Sequence, residues 1–163
     1  MNPLNLLIIV LLILNLVATV WFGINQPQVQ PIEAVRNKIT HNLPGVVNAS
    51  VRKQLVDEYI KHFNSQNLDG LYAMFSPAAK AQFSKQKSDE TFTKLITYFR
   101  SVRDGAFTHS EFVGANGDTK HFVLHYALKL DENSDFSQTG TLKVTIAVRG
   151  TEFEIYGIHM NAG

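Results

Sequence analysis

Three patterns of apolar spacing follow one another along this chain. From Leu4 to Ile24 the sequence, LNLLIIVLLILNLVATVWFGI, is apolar on every helical face. From about Ser50 to Val102 apolar residues recur every three or four positions, the period of a helix. From Ala106 onward they alternate, the period of a strand with one buried face.

The helical stretch divides at polar breaks. Leu55, Val56, Tyr59, Ile60 and Phe63 share one side of a helix for which Ser50 is the candidate cap, and Asn64-Ser65-Gln66-Asn67 ends it. A second helix is expected from about Leu68 to Phe75 and a third from Pro77 to Phe83. Lys85-Gln86-Lys87 reads as a connector. Ser88 then caps a longer helix carrying Phe92, Leu95, Ile96, Phe99 and Val102 on one face, stopped by Asp104-Gly105.

The alternating stretch reads as four strands. The first runs from Ala106 to Val113, and Ala115-Asn116-Gly117-Asp118 is a hairpin turn of type I′. In the second, Phe122, Leu124, Tyr126 and Leu128 face one way and His121, Val123, His125 and Lys129 the other. A loop from Asp131 to Gln138 leads to the third strand, where Leu142, Val144, Ile146 and Val148 alternate with Thr141, Lys143, Thr145 and Arg149. Arg149-Gly150 turns into a fourth strand, Glu152 to Met160. Its apolar phase slips from Phe153 and Ile155 to Tyr156, Ile158 and Met160, so a bulge or bend is expected at Gly157. Helices followed by an antiparallel meander with one apolar face predict an α+β fold. The full expectation is an N-terminal transmembrane helix, then a cone of helices packed on a bent four-stranded antiparallel sheet.

The first segment is long enough to cross a bilayer, which takes about 20 mostly apolar residues. The 15 basic and 14 acidic residues all follow Ile24. Trp21 and Phe22 fall at the end of the run, where aromatic rings suit the lipid–water boundary. A cleaved signal peptide fits less well: no basic residue precedes the run, it is too long for a signal core, and no A-x-A site follows. Asn15, near the middle, is either a tolerated polar residue or a hydrogen-bonding contact to another helix. The expected organisation is an anchor over 1–24, a linker or juxtamembrane segment over 25–47 and a folded domain over 48–163. Within the linker, NQPQVQP is an extended spacer, and Pro31 opens a short helix ended by Leu43-Pro44-Gly45.

Composition removes several function classes. The net charge is +1 with signs mixed along the chain, and no basic block is present to track phosphates, so nucleic acid is not an expected partner. The chain has no cysteine, which excludes disulfides, thiolate catalysis, Cys-ligated zinc and a lipid-modified cysteine anchor. P-loop, dinucleotide-glycine and HExxH phrases are also missing.

Particular phrases resemble the nuclear transport factor 2-like superfamily, also described as SnoaL-like or cystatin-like cones. VDEYIKHFNSQNLDGLYAMFSPAAKAQF resembles its opening helices, ETFTKLITYFRSVRDGAF its helix leading into the first long strand, and TEFEIYGIHM its closing strand. The likeness covers roughly Ser50 to Met160 and rests on structure-making residues, so it speaks to fold rather than chemistry. Many members carry an extra short strand between the early helices, which this chain does not display. The small membrane-anchored members of unknown function are the most similar in layout. Bitopic subunits of type IV secretion systems share the anchor-then-cone arrangement, although not these phrases. The resemblance implies an extracytoplasmic domain on the cell (inner) membrane. The nearest basic residues, Arg36 and Lys38, follow the span and point weakly the other way.

Catalytic members of that superfamily place an Asp, His or Tyr inside the cone. Here Asp57, Glu58 and Asp69 read as solvated helix charges. Tyr72, Phe99, Tyr126, Tyr156 and His159 are the candidate pocket or interface residues. His121 and His125 lie too far apart along one strand to share a metal easily, and the sequence shows no converging set of three ligands. No catalytic residue, metal or cofactor is therefore assigned. The expected function is a membrane-anchored, non-enzymatic binding or assembly module, an accessory or scaffold subunit with a protein partner or a second copy of itself. The alternative is a small-molecule carrier or enzyme using the cone cavity, with a small apolar ligand. A cavity filled by Phe and Leu side chains would count against that alternative.

Overall fold

The computed structural model describes residues 42–135 and 137–162. The apolar leader with Asn15, Trp21 and Phe22, and the short helix expected after Pro31, lie outside the described residues. Among the described residues no helix is long and apolar enough to cross a membrane.

Among the described residues four α-helices precede four strands. Helix α1 spans Ala49–Asn64, α2 Leu68–Ala73, α3 Pro77–Lys80 and α4 Lys85–Phe99. Strand β1 spans Val102–Asn116, β2 Thr119–Leu130, β3 Thr139–Arg149 and β4 Glu152–Ala162. The strands form one antiparallel sheet in the order β1-β2-β3-β4. Among the described residues no strand lies between the helices.

Each helix starts where a short polar side chain takes up an orphan amide. Asn48 accepts from Val51 N, Asn67 from Gly70 N, Ser76 from Ala79 N and Ser84 from Lys87 N. Two expected caps move accordingly. Asn48, rather than Ser50, opens α1. Ser84, rather than Ser88, opens α4, so Lys85-Gln86-Lys87 is its first turn and Ser88 is buried inside it. That turn is supported by i,i+4 pairs, Lys85 with Asp89 at 2.7 Å and Gln86 with Glu90 at 3.1 Å.

The end of α4 also differs from expectation. The helix stops at Arg100, whose φ is 63°, and Val102 is the first residue of β1. Val102 is held by a side chain: Asn64, the last residue of α1, donates to Val102 O and accepts from Val102 N, both at 2.8 Å. Gly105 lies inside β1 rather than ending a helix.

The helices cover one face of the sheet. Tyr59, Phe63, Leu71, Phe75, Phe92, Ile96 and Phe99 meet Phe122, Leu124, Tyr126, Leu128, Leu142, Val144, Ile146 and Met160 in one buried cluster. Ser76 N donates to Ile155 O at 2.9 Å and ties the helical layer to β4.

The β1–β2 and β3–β4 loops are two residues long. Asn116 pairs with Thr119 and Arg149 with Glu152, and Gly117 and Gly150 take φ of 57° and 59° at the first loop position. Asn116 itself does not have positive φ, so the β1–β2 turn has its glycine where a type II′ turn needs it, instead of the expected I′ arrangement. The bulge expected near Gly157 is present. Ile146 pairs with Ile155 and Thr145 with Gly157, leaving Tyr156 as the extra residue. Strand β1 has three more, at Arg103, Thr108 and Val113, each an unpaired position in the register with β2. Bulges increase local twist and bend the strand.

Candidate functional site

The register of β1 against β2 decides which side chains share the face turned away from the helices. Phe107 pairs with the buried Tyr126 and faces the core, with ring centroids 5.8 Å apart. Uninterrupted alternation would put His109 on that same side. The bulge at Thr108 shifts the phase by one, so His109 pairs with His125 and both turn outward. Their rings stack at 4.2 Å between centroids with 13° between planes. Glu111, two residues on, follows the same phase and reaches His125, with Oε2 3.3 Å from Nε2.

His109, Glu111 and His125 thus each offer a ligand atom within 4.8 Å of the others, all half-buried. This set is the functional feature that sequence reading missed. The second strand gave His125, but the first strand's alternation gave no reason to place His109 or Glu111 beside it. The remaining outward positions form a broader polar face. His121 packs edge-on against Tyr156 at 5.9 Å, and Lys143 pairs with His159. Ala127, Thr141, Lys143 and His159 are exposed there, and Val123 and Thr145 are half-buried.

The five residues expected to line a pocket or interface do not gather at one place. Phe99 and Tyr126 are buried in the core between helices and sheet. Tyr72 packs on Phe83 at the rim of the helical layer, with Lys80 over its ring. Tyr156 and His159 lie on the opposite, outward face of the sheet.

The interior between helices and sheet is filled. Tyr59 and Phe63 are fully buried at its centre, and the Tyr59 hydroxyl donates to Met160 Sδ at 3.2 Å. The Tyr126 hydroxyl donates to the Arg52 carbonyl at 3.1 Å. Burial pushes both phenols well above their ordinary value, with the Arg52 charge opposing slightly at Tyr126. They stay protonated at neutral pH. Among the described residues, the buried polar side chains besides these tyrosines are Ser76, Ser88 and Ser110, with no carboxylate or imidazole. General acid–base chemistry needs a group that titrates near the working pH, and this interior offers none.

No protein-family profile matches the chain, and no curated protein matches it. Among solved structures, Aln2 from a Streptomyces species is similar, with a TM-score of 0.46 at 10% identity, over 74% of this chain and 93% of that one. A likeness at that level carries no argument about chemistry, which rests on the side chains described above.

Proposed function

We propose that this protein is a membrane-anchored, non-enzymatic binding or assembly module, an accessory or scaffold subunit of a membrane-associated complex. Residues 4–24 are its anchor in the cell (inner) membrane, and the folded domain lies on the extracytoplasmic side. The domain is a small cone of the nuclear transport factor 2-like kind, a reading supported by the order of helices and meander and by the phrases quoted above. The observation that carries the non-enzymatic reading is the filled interior. Tyr59, Phe63, Leu71, Phe75 and Phe92 occupy the volume in which a catalytic cone would hold substrate. The outward sheet face, with small side chains at Ala127, Thr141 and Thr145, is the surface offered to a protein partner or a second copy.

Gentle detergent extraction from native membranes, followed by mass measurement of the particle, tests this. The expected result is a mass above one chain that falls when Ala127→Arg is introduced on the outward face. A single-chain particle whose mass ignores that substitution sinks the reading. Replacing the anchor with an unrelated transmembrane helix should leave assembly intact. Protease protection at Arg36 and Lys38 in sealed vesicles reports the side of the membrane.

A further inference from the structure

We propose that His109, Glu111 and His125 bind one divalent transition-metal ion of the zinc class on the outward face of the sheet. Two imidazoles and one carboxylate are a donor set that zinc takes in sites that keep a fourth position open. Three features of the geometry support it.

The first is spacing. In tetrahedral zinc, with metal–ligand bonds of about 2.0–2.1 Å, neighbouring ligand atoms stand roughly 3.3 Å apart. His125 Nε2 and Glu111 Oε2 are already at 3.3 Å. Metal-free, that contact is a proton shared between an N–H and a carboxylate; the ion takes the proton's place. His109 has to rotate its ring out of the parallel stack to join them, from a position where a ligand atom already lies within 4.8 Å of the other two.

The second is the tautomer of His109. Thr108 Oγ1 donates its single proton to the His125 carbonyl at 3.1 Å. The same oxygen lies 3.0 Å from His109 Nδ1, and having no second proton it must accept there. In the neutral His109 ring this arrangement puts the proton on Nδ1 and makes Nε2 the nitrogen through which a metal would bind. A neighbour that fixes the tautomer of a ligating histidine is a common feature of metal sites.

The third is preorganisation. His109 and His125 stand directly opposite on paired strands, and Thr108 is the bulge residue that put them there. The ligands come from sheet backbone, which holds its geometry more closely than a loop. The side chain of His125 is 14% exposed and that of Glu111 39%, so an ion would be partly shielded yet reachable.

The test uses the full chain in detergent micelles, stripped with chelator and titrated with zinc chloride by calorimetry. Cobalt(II) serves as an optical probe of coordination. The expected result is saturable uptake of one equivalent, a tetrahedral-type cobalt spectrum, and a thermal midpoint that rises with zinc. His125→Gln and Glu111→Gln should each weaken binding by more than 100-fold, above the roughly 10–100-fold typical of residues that act through a ligand. Thr108→Val should fall within that roughly 10–100-fold range, and Thr108→Ser should restore binding. His62→Gln, on α1, should bind as the unsubstituted chain does. Far-UV circular dichroism establishes that each variant is folded. Absence of saturable one-to-one uptake by the unsubstituted chain overturns the proposal, as does uptake that persists unchanged in folded His125→Gln.

Discussion

Gly105 packs directly beneath Val56 and Ile60 of α1, and placing one methyl group there tests how the two layers meet. A Cβ at this position would lie 2.6 Å from Val56 Cγ2, 3.1 Å from Leu128 Cδ2 and 3.3 Å from Ile60 Cδ1. The optimum between carbons is about 3.5–4.0 Å. Val56 is 1% exposed, and a β-branched side chain in a helix has essentially one rotamer, so it cannot swing aside. Either α1 lifts or Val56 leaves its rotamer. Overpacking of this kind costs about 1–3 kcal/mol. Replacing glycine also restricts the unfolded chain, which returns about 0.4–1 kcal/mol. The expected net loss for Gly105→Ala is about 1–2 kcal/mol, a fall in melting temperature of about 4–10 °C for a domain of this size. Thermal unfolding followed by circular dichroism measures it. Val56→Ala is the partner substitution. Alone it opens a small cavity and costs about 2 kcal/mol. In Gly105→Ala/Val56→Ala the new methyl occupies space that Val56 vacated, so the double variant should lose at least about 1 kcal/mol less than the sum of the singles. An additive double variant, or a Gly105→Ala protein as stable as the parent, would show that α1 does not pack on β1 as described.

Asn64→Ala should cost about 1–3 kcal/mol in denaturant unfolding, because it strands both backbone groups of Val102, and Asn64→Asp should fall between the two since a carboxylate can accept from the amide but not donate to the carbonyl. Arg100→Gly should stabilise by up to about 1 kcal/mol, since Arg100 sits at φ 63° and ψ −75°, a strained combination for a residue with a Cβ, and its exposed contact with Asp135 contributes little. Asp131 accepts from Asn133 N at 2.9 Å and from the Ser101 hydroxyl at 2.8 Å, which hold its carboxyl below the ordinary range. Its contribution is therefore full above about pH 4 and is lost as pH falls through the lowered value. Ser101→Ala should move the Asp131 titration, followed by NMR, back toward the ordinary value, and an unmoved titration would refute that attribution.

Much of the fold was legible because its signals are local. Four strands, their alternation in β2 and β3, the loop before β3 and the bulge in β4 all follow from period and glycine placement. What was misread has a physical reason in each case. Ser84 and Ser88 are equally good caps in isolation. The Lys85-Gln86-Lys87 turn between them carries no apolar period because it faces solvent, and it is held by ion pairs and amide contacts instead. Val102 stands three residues after Phe99 and fits a helical face. An apolar residue just past a helix serves a strand equally well, and the Asn64 side chain that captures it comes from 38 residues away. Asp104-Gly105 has the chemistry of a helix stop, while the packing of Val56 on Gly105 depends on the tertiary crossing.

The outward face was illegible for a different reason. Period-two reasoning assigns Phe107, His109 and Glu111 to one side, and Phe107 is apolar enough to settle that side as the core. A single extra residue, Thr108, separates them: Phe107 stays inward on Tyr126 while His109 and Glu111 turn outward. Nothing in the identity of Thr108 announces a bulge, because the extra residue of a bulge need not be glycine. The consequence can be checked independently of metal. Removing the extra residue leaves the flanking pairs in place: Phe107 stays opposite Tyr126, and His109 follows it directly, opposite His125. Deleting Thr108 should therefore lose the local twist of the bulge while keeping both histidines on the outward face, and should cost little more than a deletion in the exposed β2–β3 loop at Asn133. A loss of several kcal/mol by thermal unfolding in the Thr108 deletion alone would show that Thr108 is not the extra residue that carries the two histidines to one face.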